Sequence, residues 1–349
     1  MTGFTFRVKR LHEFVEALTR GVGASDRAAR IMAESLVAAS ARGVDSHGMQ
    51  LLPFYLAQLD DGRVDPKAEG RVVSESGAIA VFDGCNALGQ VVADTCCDLA
   101  AKLAGAHGMG LVVARESNHF GAAGWWGQKI AGCGYIAMVL CNASSMVSPW
   151  QGRDPRWGTN PICVAVPGGG WMLDMATTTV AMGRVYKAGI AKEETIPAGW
   201  AMDSEGAPTT LTAEALKGML MPLGGYKGSG LAFLVELLTG GLSGGAMSTE
   251  LGGLRVKDRP FRVSQFFLAI DPERIMPAAE FEERKQKLIR MAKSSRPARG
   301  YDEVLVAGEP EWRSEAERLK TGIPVEANLW GQLVEWAGRL GVAVPDREG

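Results

Sequence analysis

The sequence predicts an α+β fold with two domains. A sheet domain with helices spans residues 71–274, and a helical domain combines residues 1–70 with about 275–349. Apolar residues recur at helical spacing near both chain ends, whereas the middle contains short apolar runs bounded by glycine. No G-x-G-x-x-G follows these runs, so the sheet domain is predicted to differ from a Rossmann fold.

The two ends of the chain carry the helix signals. Residues 8–20 place apolar side chains at helical spacing, and Ser25 or Asp26 can cap a second helix that runs to about Ala41. From about Glu280 the chain is charged and helical again. These patterns predict one helical layer formed by both termini.

The middle of the chain contains a strand, a loop, a helix and a second strand. Residues 110–115 and 135–141 are the strands, and residues 125–132 form the helix between them, which is typical of a crossover connection. Further predicted strands and helices complete this part. The strands are 78–83, 162–166, 171–174 and 265–270, and the helices are 90–106 and a buried one at 228–242.

Composition narrows the class of protein. The chain has 349 residues and a formal net charge of −2, without the basic run typical of nucleic-acid binders. No apolar run approaches the roughly 20 residues that span a bilayer, and the N-terminus does not resemble a signal peptide. The six cysteines form no C-x-x-C pair, which predicts reduced thiols. We therefore expect a cytoplasmic protein that binds neither nucleic acid nor membrane.

Two of the four histidines have distinctive surroundings. His47 follows Ser46 at the end of a predicted helix, and His119 follows a predicted strand, where ligands bind in open α/β sheets. Imidazole can exchange a proton near neutral pH, although a lone loop histidine is more often structural.

Three further segments are candidate binding elements. Lys227 lies in a glycine-rich turn before an apolar helix, where free backbone N–H groups attract anions. Thr159 and Asn160 follow a tryptophan and a glycine, and they either bind a substrate oxygen or form a turn. Asp174 ends a predicted strand, where it is either a ribose partner or a helix cap.

Taken in order, six segments resemble the type-2 malate/L-lactate dehydrogenase family, which includes sulfolactate and ureidoglycolate dehydrogenases and cyclic-imine-2-carboxylate reductases. The resemblance covers roughly residues 5–325. The segments are Arg42-Gly-Val-Asp-Ser-His-Gly48, Ser117-Asn-His-Phe-Gly121, Gly158-Thr-Asn-Pro161, Asp174-Met-Ala-Thr-Thr178, Ile196-Pro-Ala-Gly-Trp200 and Gly224-Gly-Tyr-Lys-Gly228.

The resemblance implies a homodimer with NAD or NADP in a cleft between the helical part and the sheet domain. His47 would be the proton donor, with Ser46 beside it in a relay, although some relatives give the proton-acceptor role to the histidine at position 119. Thr159 would touch the substrate. The cofactor would contact His119, Phe120, Gly121, Ala122, Ala123, Asp174, Met175, Ala176, Tyr226, Lys227, Gly308 and Glu309.

The sequence departs from the family at two positions that matter for the substrate. Many relatives carry an arginine just after the Ser-His-Gly segment, where this chain has Gln50 and Leu51. Some relatives have a relay aspartate where this chain has Arg184. A guanidinium can bind a carboxylate through two hydrogen bonds, so Arg184 is predicted to be the substrate clamp, with Arg153 and Arg156 as alternatives.

The expected reaction is hydride transfer between nicotinamide and C2 of a small 2-oxo or 2-hydroxy acid. The first alternative is reduction of a cyclic imine-2-carboxylate. Two others are a non-catalytic nucleotide-binding relative and a metal-dependent hydrolase that uses His47, His119 and Asp174. The spacing of these residues matches no metalloenzyme motif, so no metal site is predicted.

Overall fold

The computed structural model describes residues 3–253 and 260–346. Its main feature is a seven-stranded mixed sheet with the strand order β2-β3-β4-β11-β5-β6-β7. The strands of the chain are β1 (Phe4–Phe6), β2 (Arg71–Ser76), β3 (Ile79–Asp83), β4 (Met109–Ser117), β5 (Ile136–Cys141), β6 (Ile162–Ala165), β7 (Met172–Met175), β8 (Ala201–Met202), β9 (Pro208–Thr209), β10 (Met219–Leu220), β11 (Val263–Ile270) and β12 (Ile323–Val325).

Helices surround this sheet and form a layer beside it. They are α1 (Val8–Gly21), α2 (Asp26–Ala41), α3 (Leu52–Asp60), α4 (Gly89–His107), α5 (Ala123–Gly132), α6 (Met182–Ile190), α7 (Thr212–Ala215), α8 (Tyr226–Glu236), α9 (Ala278–Lys293), α10 (Glu309–Thr321) and α11 (Ala327–Leu340). The chain is therefore a mixed α/β protein, in agreement with the predicted class at this level.

Local sequence explains where the first helices lie. The side chain of Ser25 accepts a hydrogen bond from the Ala28 N–H at 3.2 Å and so caps α2, as predicted. In α1 the buried residues Leu11, Phe14, Val15 and Leu18 share one face, which packs against α2.

The predicted crossover forms with an added strand. β4, α5 and β5 follow one another as expected, and β4 and β5 run in the same direction because each pairs antiparallel with β11. β11 lies between them although it comes about 120 residues later in the chain. The loops after β4 and β5 therefore open at one edge of the sheet.

The two ends of the chain meet in space. β1 pairs with β12, α1 and α3 contact α11, and α2 contacts α10. The remaining C-terminal helix, α9, instead packs near the β6–β7 turn, where the Lys285 ammonium donates to the Pro167 carbonyl at 2.7 Å. The exact division into domains stays a prediction.

The prediction of a buried helix over 228–242 is wrong in part. The segment is helical, with α8 continuing into a π-helical turn over Leu237–Gly241. Its large apolar side chains are split between two faces, because Val235 packs on the sheet while Phe233 is 55% and Leu237 54% exposed. The mostly apolar composition of the segment predicts a core helix, whereas the outer face has no covering element among the described residues.

A small second core lies beside the sheet. Val147, Val180, Val185, Ile196, Ala201 and Leu220 are among its buried residues, and it includes α6, α7 and the short sheet β10-β8-β9. This core places the start of α6 near the histidine segments, as described below.

No helix within residues 3–253 and 260–346 is long and apolar enough to cross a bilayer. All six cysteines are free thiols, and Cys96, Cys97, Cys141 and Cys163 are buried. Burial raises the pKa of these four thiols and keeps them protonated.

Candidate active site

His47 lies in a short 3-10 turn, Asp45–His47, that follows α2. The turn packs so closely on the helix that a Cβ at Gly48 would lie 2.1 Å from the Ser40 hydroxyl oxygen, so only glycine fits. On the other side, the Asp45 carboxylate accepts two hydrogen bonds from the Arg318 guanidinium, at 2.6 and 3.1 Å. These contacts fix the position of the histidine that follows.

His119 comes from the loop after β4, which faces the turn of His47. The two imidazole rings stack with their centroids 5.8 Å apart and an interplanar angle of 25°. A Cβ added at Gly121 would lie 3.6 Å from the His47 carbonyl oxygen, so the two backbones also approach closely. Two histidines separated by 72 positions therefore form one cluster.

Each imidazole has a hydroxyl at its Nδ1 atom. The Ser46 hydroxyl lies 3.0 Å from Nδ1 of His47, and the Tyr55 hydroxyl lies 2.6 Å from Nδ1 of His119. Burial lowers the pKa of His47, and burial together with the nearby His47 lowers the pKa of His119 to about 3. Both rings are therefore neutral at pH 7.

Asp174 connects the next segment to the histidine loop. Its carboxylate accepts the Gly124 N–H at 2.7 Å and so caps the N-terminus of α5. The residue is partly exposed at the surface, but protein atoms crowd its carboxylate, so burial raises its pKa to about 6 in spite of the Gly124 bond and the Arg42 charge. Both alternatives stated for Asp174, a cap and an accessible ligand partner, fit this geometry.

Arg42 is a residue of this site that sequence reasoning did not assign. Its side chain is only 5% exposed, and its Nε and Nη2 atoms have no hydrogen-bond partner in the described structure. Its charge acts on Asp174 and Cys163. The only signal in the sequence was its place at the start of the segment that ends in Ser-His-Gly.

The segments around Thr159 and Thr177 bond to each other and to the turn that precedes α8. The Thr159 carbonyl accepts from both the N–H and the hydroxyl of Thr177, at 2.9 and 3.0 Å. The Thr177 carbonyl in turn accepts the Leu223 N–H at 3.0 Å, next to the turn that precedes α8. Thr159 itself is half-buried, so its hydroxyl stays a candidate for the substrate.

Asn160 is placed differently from the prediction. Its side chain is fully buried, with its amide donating to the Ala232 carbonyl and the Glu236 carboxylate and its oxygen accepting the Ala143 N–H. Because both amide hydrogens and one lone pair of the oxygen are bonded inside the protein, this geometry does not favour contact with a substrate. The turn alternative, with a left-handed φ of 36°, describes Asn160 better.

The remaining predicted cofactor residues lie on several elements. Tyr226 and Lys227 begin α8 and are exposed, after Gly224 and Gly225 with φ angles of 59° and 67°. Gly308 packs against β7, where its Cβ would lie 3.2 Å from the Met172 nitrogen. The other predicted residues here are Phe120, Ala122 and Ala123, which are buried, and Met175 and Ala176, which are half-buried.

Glu309 has partners of its own. Its carboxylate accepts hydrogen bonds from the Lys293 ammonium and the Arg313 guanidinium, each at 2.6 Å, and these bonds hold its pKa well below the usual range. The predicted contact with a cofactor therefore has to come from its backbone.

Arg184 lies near the histidine turn. Its neighbour Gly183 would place a Cβ 3.6 Å from the Cβ of Ser46, and Arg184 itself is exposed at the start of α6. The two alternatives have partners elsewhere, since Arg153 pairs with Glu205 at 2.6 Å and Arg156 with Asp154 at 3.2 Å.

Tyr55 is the second residue that the sequence did not reveal. It lies in the apolar helix α3 and is almost completely buried, so its sequence position predicts a core residue.

Among residues 3–253 and 260–346, no group of three His, Cys, Asp or Glu side chains is arranged so that it could hold a metal ion.

Comparison with known proteins identifies the class. The family model described as malate/L-lactate dehydrogenase matches residues 6–334. The chain belongs to this family, and it is an enzyme of the dehydrogenase and reductase class whose members act on hydroxy acids.

Individual relatives show the range of substrates in the family. The chain is 37% identical to the L-sulfolactate dehydrogenase of Methanocaldococcus jannaschii, over 93% of this chain and 94% of that one. The malate dehydrogenase structure from Pyrococcus horikoshii matches with a TM-score of 0.90 and 34% identity, covering 98% and 97%. The delta1-piperideine-2-carboxylate reductase structure from Pseudomonas syringae matches with a TM-score of 0.84 and 29% identity, covering 95% and 99%.

The lowered pKa values predict how acid affects stability. Below about pH 6.5 the unfolded chain binds protons at these two histidines, whereas the folded chain keeps them neutral. The contribution of the two neutral histidines to the free energy of unfolding is therefore complete above pH 6.5. It is lost as the pH falls toward the folded pKa of about 3 at His119. In urea titrations between pH 7.5 and 4.5, we expect His119→Gln to lose less stability on acidification than the native protein. Equal slopes would contradict the low pKa, and Leu288→Gln, a non-titrating exposed change on α9, is the control.

Proposed function

We propose that this enzyme transfers a hydride between NAD or NADP and C2 of a small 2-oxo or 2-hydroxy acid, with His47 as the proton donor. The observation that carries the proposal is the stacked imidazole pair of His47 and His119, with the Ser46 hydroxyl at one ring and the Asp174 carboxylate at the start of α5, just after the histidine loop. Malate, lactate and sulfolactate are the substrate types that the resemblance and the relatives' names suggest.

The residues present fit a nicotinamide dinucleotide. Residues 121–124 are small and follow His119 directly, and Asp174, an exposed residue, offers a carboxylate to ribose hydroxyl groups. Lys227 and the glycine turn before α8 offer a charge and N–H groups to phosphate. When bound, the nicotinamide would supply or accept the hydride.

The position of His47 suggests how the proton is transferred in each direction. In the reducing direction, C2 gains the hydride and its oxygen takes a proton from the imidazolium form of His47, which the neutral ring has to form first by taking up a proton. In the oxidising direction, the hydroxyl gives its proton to the imidazole as the hydride leaves C2. Ser46 stabilises either form of the ring because its hydroxyl donates or accepts.

Reduction of a cyclic imine-2-carboxylate is the second candidate. The likeness to a piperideine-2-carboxylate reductase structure favours it, and the same imidazole would protonate the imine nitrogen. A panel of 2-oxo acids, 2-hydroxy acids and cyclic imines, assayed with both cofactors by nicotinamide absorbance, separates the two. No turnover on any member of the panel would reject the proposed function.

His47→Gln tests the proton donor. Loss of general acid–base help should lower kcat by roughly 10²- to 10⁴-fold. Quenching of tryptophan fluorescence by NADH should persist, because the cofactor residues are unchanged. In the oxidising direction the native rate should rise with pH with a midpoint below the ordinary histidine pKa of 6.5, since burial lowers the pKa of His47 and the base form prevails above it. His12→Gln, on α1, is the matched control, and a kcat within threefold of native for His47→Gln would reject the role.

Arg184→Ala tests the carboxylate clamp. A charged hydrogen bond to a substrate carboxylate contributes roughly 1.5–3 kcal/mol, so KM should rise about tenfold or more. Lys187→Ala, an exposed cation on the same helix, should leave KM unchanged. An unchanged KM in Arg184→Ala would remove Arg184 from the substrate site.

Two further parts of the proposal concern the state of the protein. We propose that the protein is cytoplasmic, in agreement with its six free thiols.

We also propose that it forms a homodimer, because the exposed face of α8 and the following turn is apolar. Its exposed residues are Phe233, Leu234, Leu237 and Leu242.

Light scattering after size exclusion tests the dimer. We expect a mass near twice 37.1 kDa for the native protein and a monomer for Leu237→Glu, since a buried charge opposes association. Leu288→Glu, at a more exposed position on α9, should remain dimeric. A native monomer would reject the proposed assembly.

A further inference from the structure

The Nδ1 atom of His119 faces two protein donors. The Tyr55 hydroxyl lies 2.6 Å from it, and the Gly121 N–H points to it at 3.3 Å. A backbone N–H can only donate, so the nitrogen that receives it has to carry a lone pair. The ring proton of neutral His119 is therefore on Nε2.

Tyr55 completes this arrangement. The phenol is 1% exposed, and burial raises its pKa far above the usual value, which keeps the hydroxyl protonated. Against an unprotonated Nδ1 the hydroxyl donates. A proton added to Nδ1 would oppose the Gly121 N–H and break the bond from Tyr55, in a place that already disfavours charge.

His47 is held differently. Among residues 3–253 and 260–346, the group hydrogen-bonded to its Nδ1 is the Ser46 hydroxyl, which both donates and accepts. The ring can therefore place its proton on either nitrogen and can also take a second one. The neighbours of His119 thus permit one neutral tautomer, whereas the neighbour of His47 permits both tautomers and the protonated ring.

We propose that Tyr55 is a positioning residue that, with the Gly121 N–H, fixes His119 as the Nε2–H tautomer. His119 then serves as a permanent hydrogen-bond donor toward an acceptor oxygen of the ligand, and proton transfer belongs to His47. The assignment of roles rests on the proposed function, whereas the tautomer does not.

Nitrogen-15 NMR of histidine-labelled protein tests the tautomer directly. The chain has four histidines, so single His→Gln variants assign the signals. We expect His119 to show the Nε2–H pattern without change from pH 5.5 to 8.5. In Tyr55→Phe one donor is lost, and protonation should appear roughly one pH unit higher than in the native protein. Tyr135→Phe, which removes another tyrosine hydroxyl, should match the native protein.

Kinetics of four variants test the roles. Glutamine keeps an N–H near the position of Nε2 but cannot accept a proton, whereas leucine offers neither. We expect His119→Gln to retain a kcat at least tenfold above that of His119→Leu, while His47→Gln and His47→Leu fall equally. If His119 is the proton acceptor, its two variants lose equal activity, which overturns the assignment.

The two arms separate this proposal from the proposed function. If no substrate turns over, the proposed function fails, and the NMR spectrum of the native protein still decides the tautomer. An Nδ1–H pattern, or an imidazolium of His119 near pH 7, would overturn the inference whatever the activity.

Discussion

The site depends on the contact between two turns that are distant in the chain, the one that ends α2 and the one that follows β4. Gly48 lets the first turn press against α2, and the pair of Asp45 with Arg318 holds its outer side. The cap from Asp174 to Gly124 holds the second turn at the start of α5. These contacts hold the two turns in the positions where the imidazoles of His47 and His119 stack, so any chemistry that uses both rings depends on them.

Burial gives this cleft a preference for neutral groups. The pKa values of both histidines are lowered, and those of Asp174 and the buried Glu236 are raised, in each case chiefly because the charged form is poorly solvated. A neutral imidazole is a ready proton acceptor, whereas an imidazolium has to form during turnover. Such a cleft therefore suits the transfer of a hydride together with a proton, since the net charge it has to hold changes little.

Local signals in the sequence predicted much of the fold. The Ser25 cap, the helices at both ends and the β4-α5-β5 unit were predicted because each depends on residues close together in the chain. Such local signals could not predict that β11 lies between β4 and β5, since this position depends on pairing between residues far apart in the chain. The exposed face of α8 was misjudged because composition alone does not distinguish a core from an interface.

The sequence by itself determined the family, the two candidate histidines and most of the segments that surround the cleft, because these are carried by short motifs. Tertiary structure decided which of those groups are free to act. It buried Asn160 in a hydrogen-bond network, placed Tyr55 against His119 and left two guanidinium nitrogens of Arg42 without a hydrogen-bond partner among the described residues. The reason is that the protonation state and availability of a side chain depend on neighbours brought together by folding, and these neighbours lie tens to hundreds of residues away.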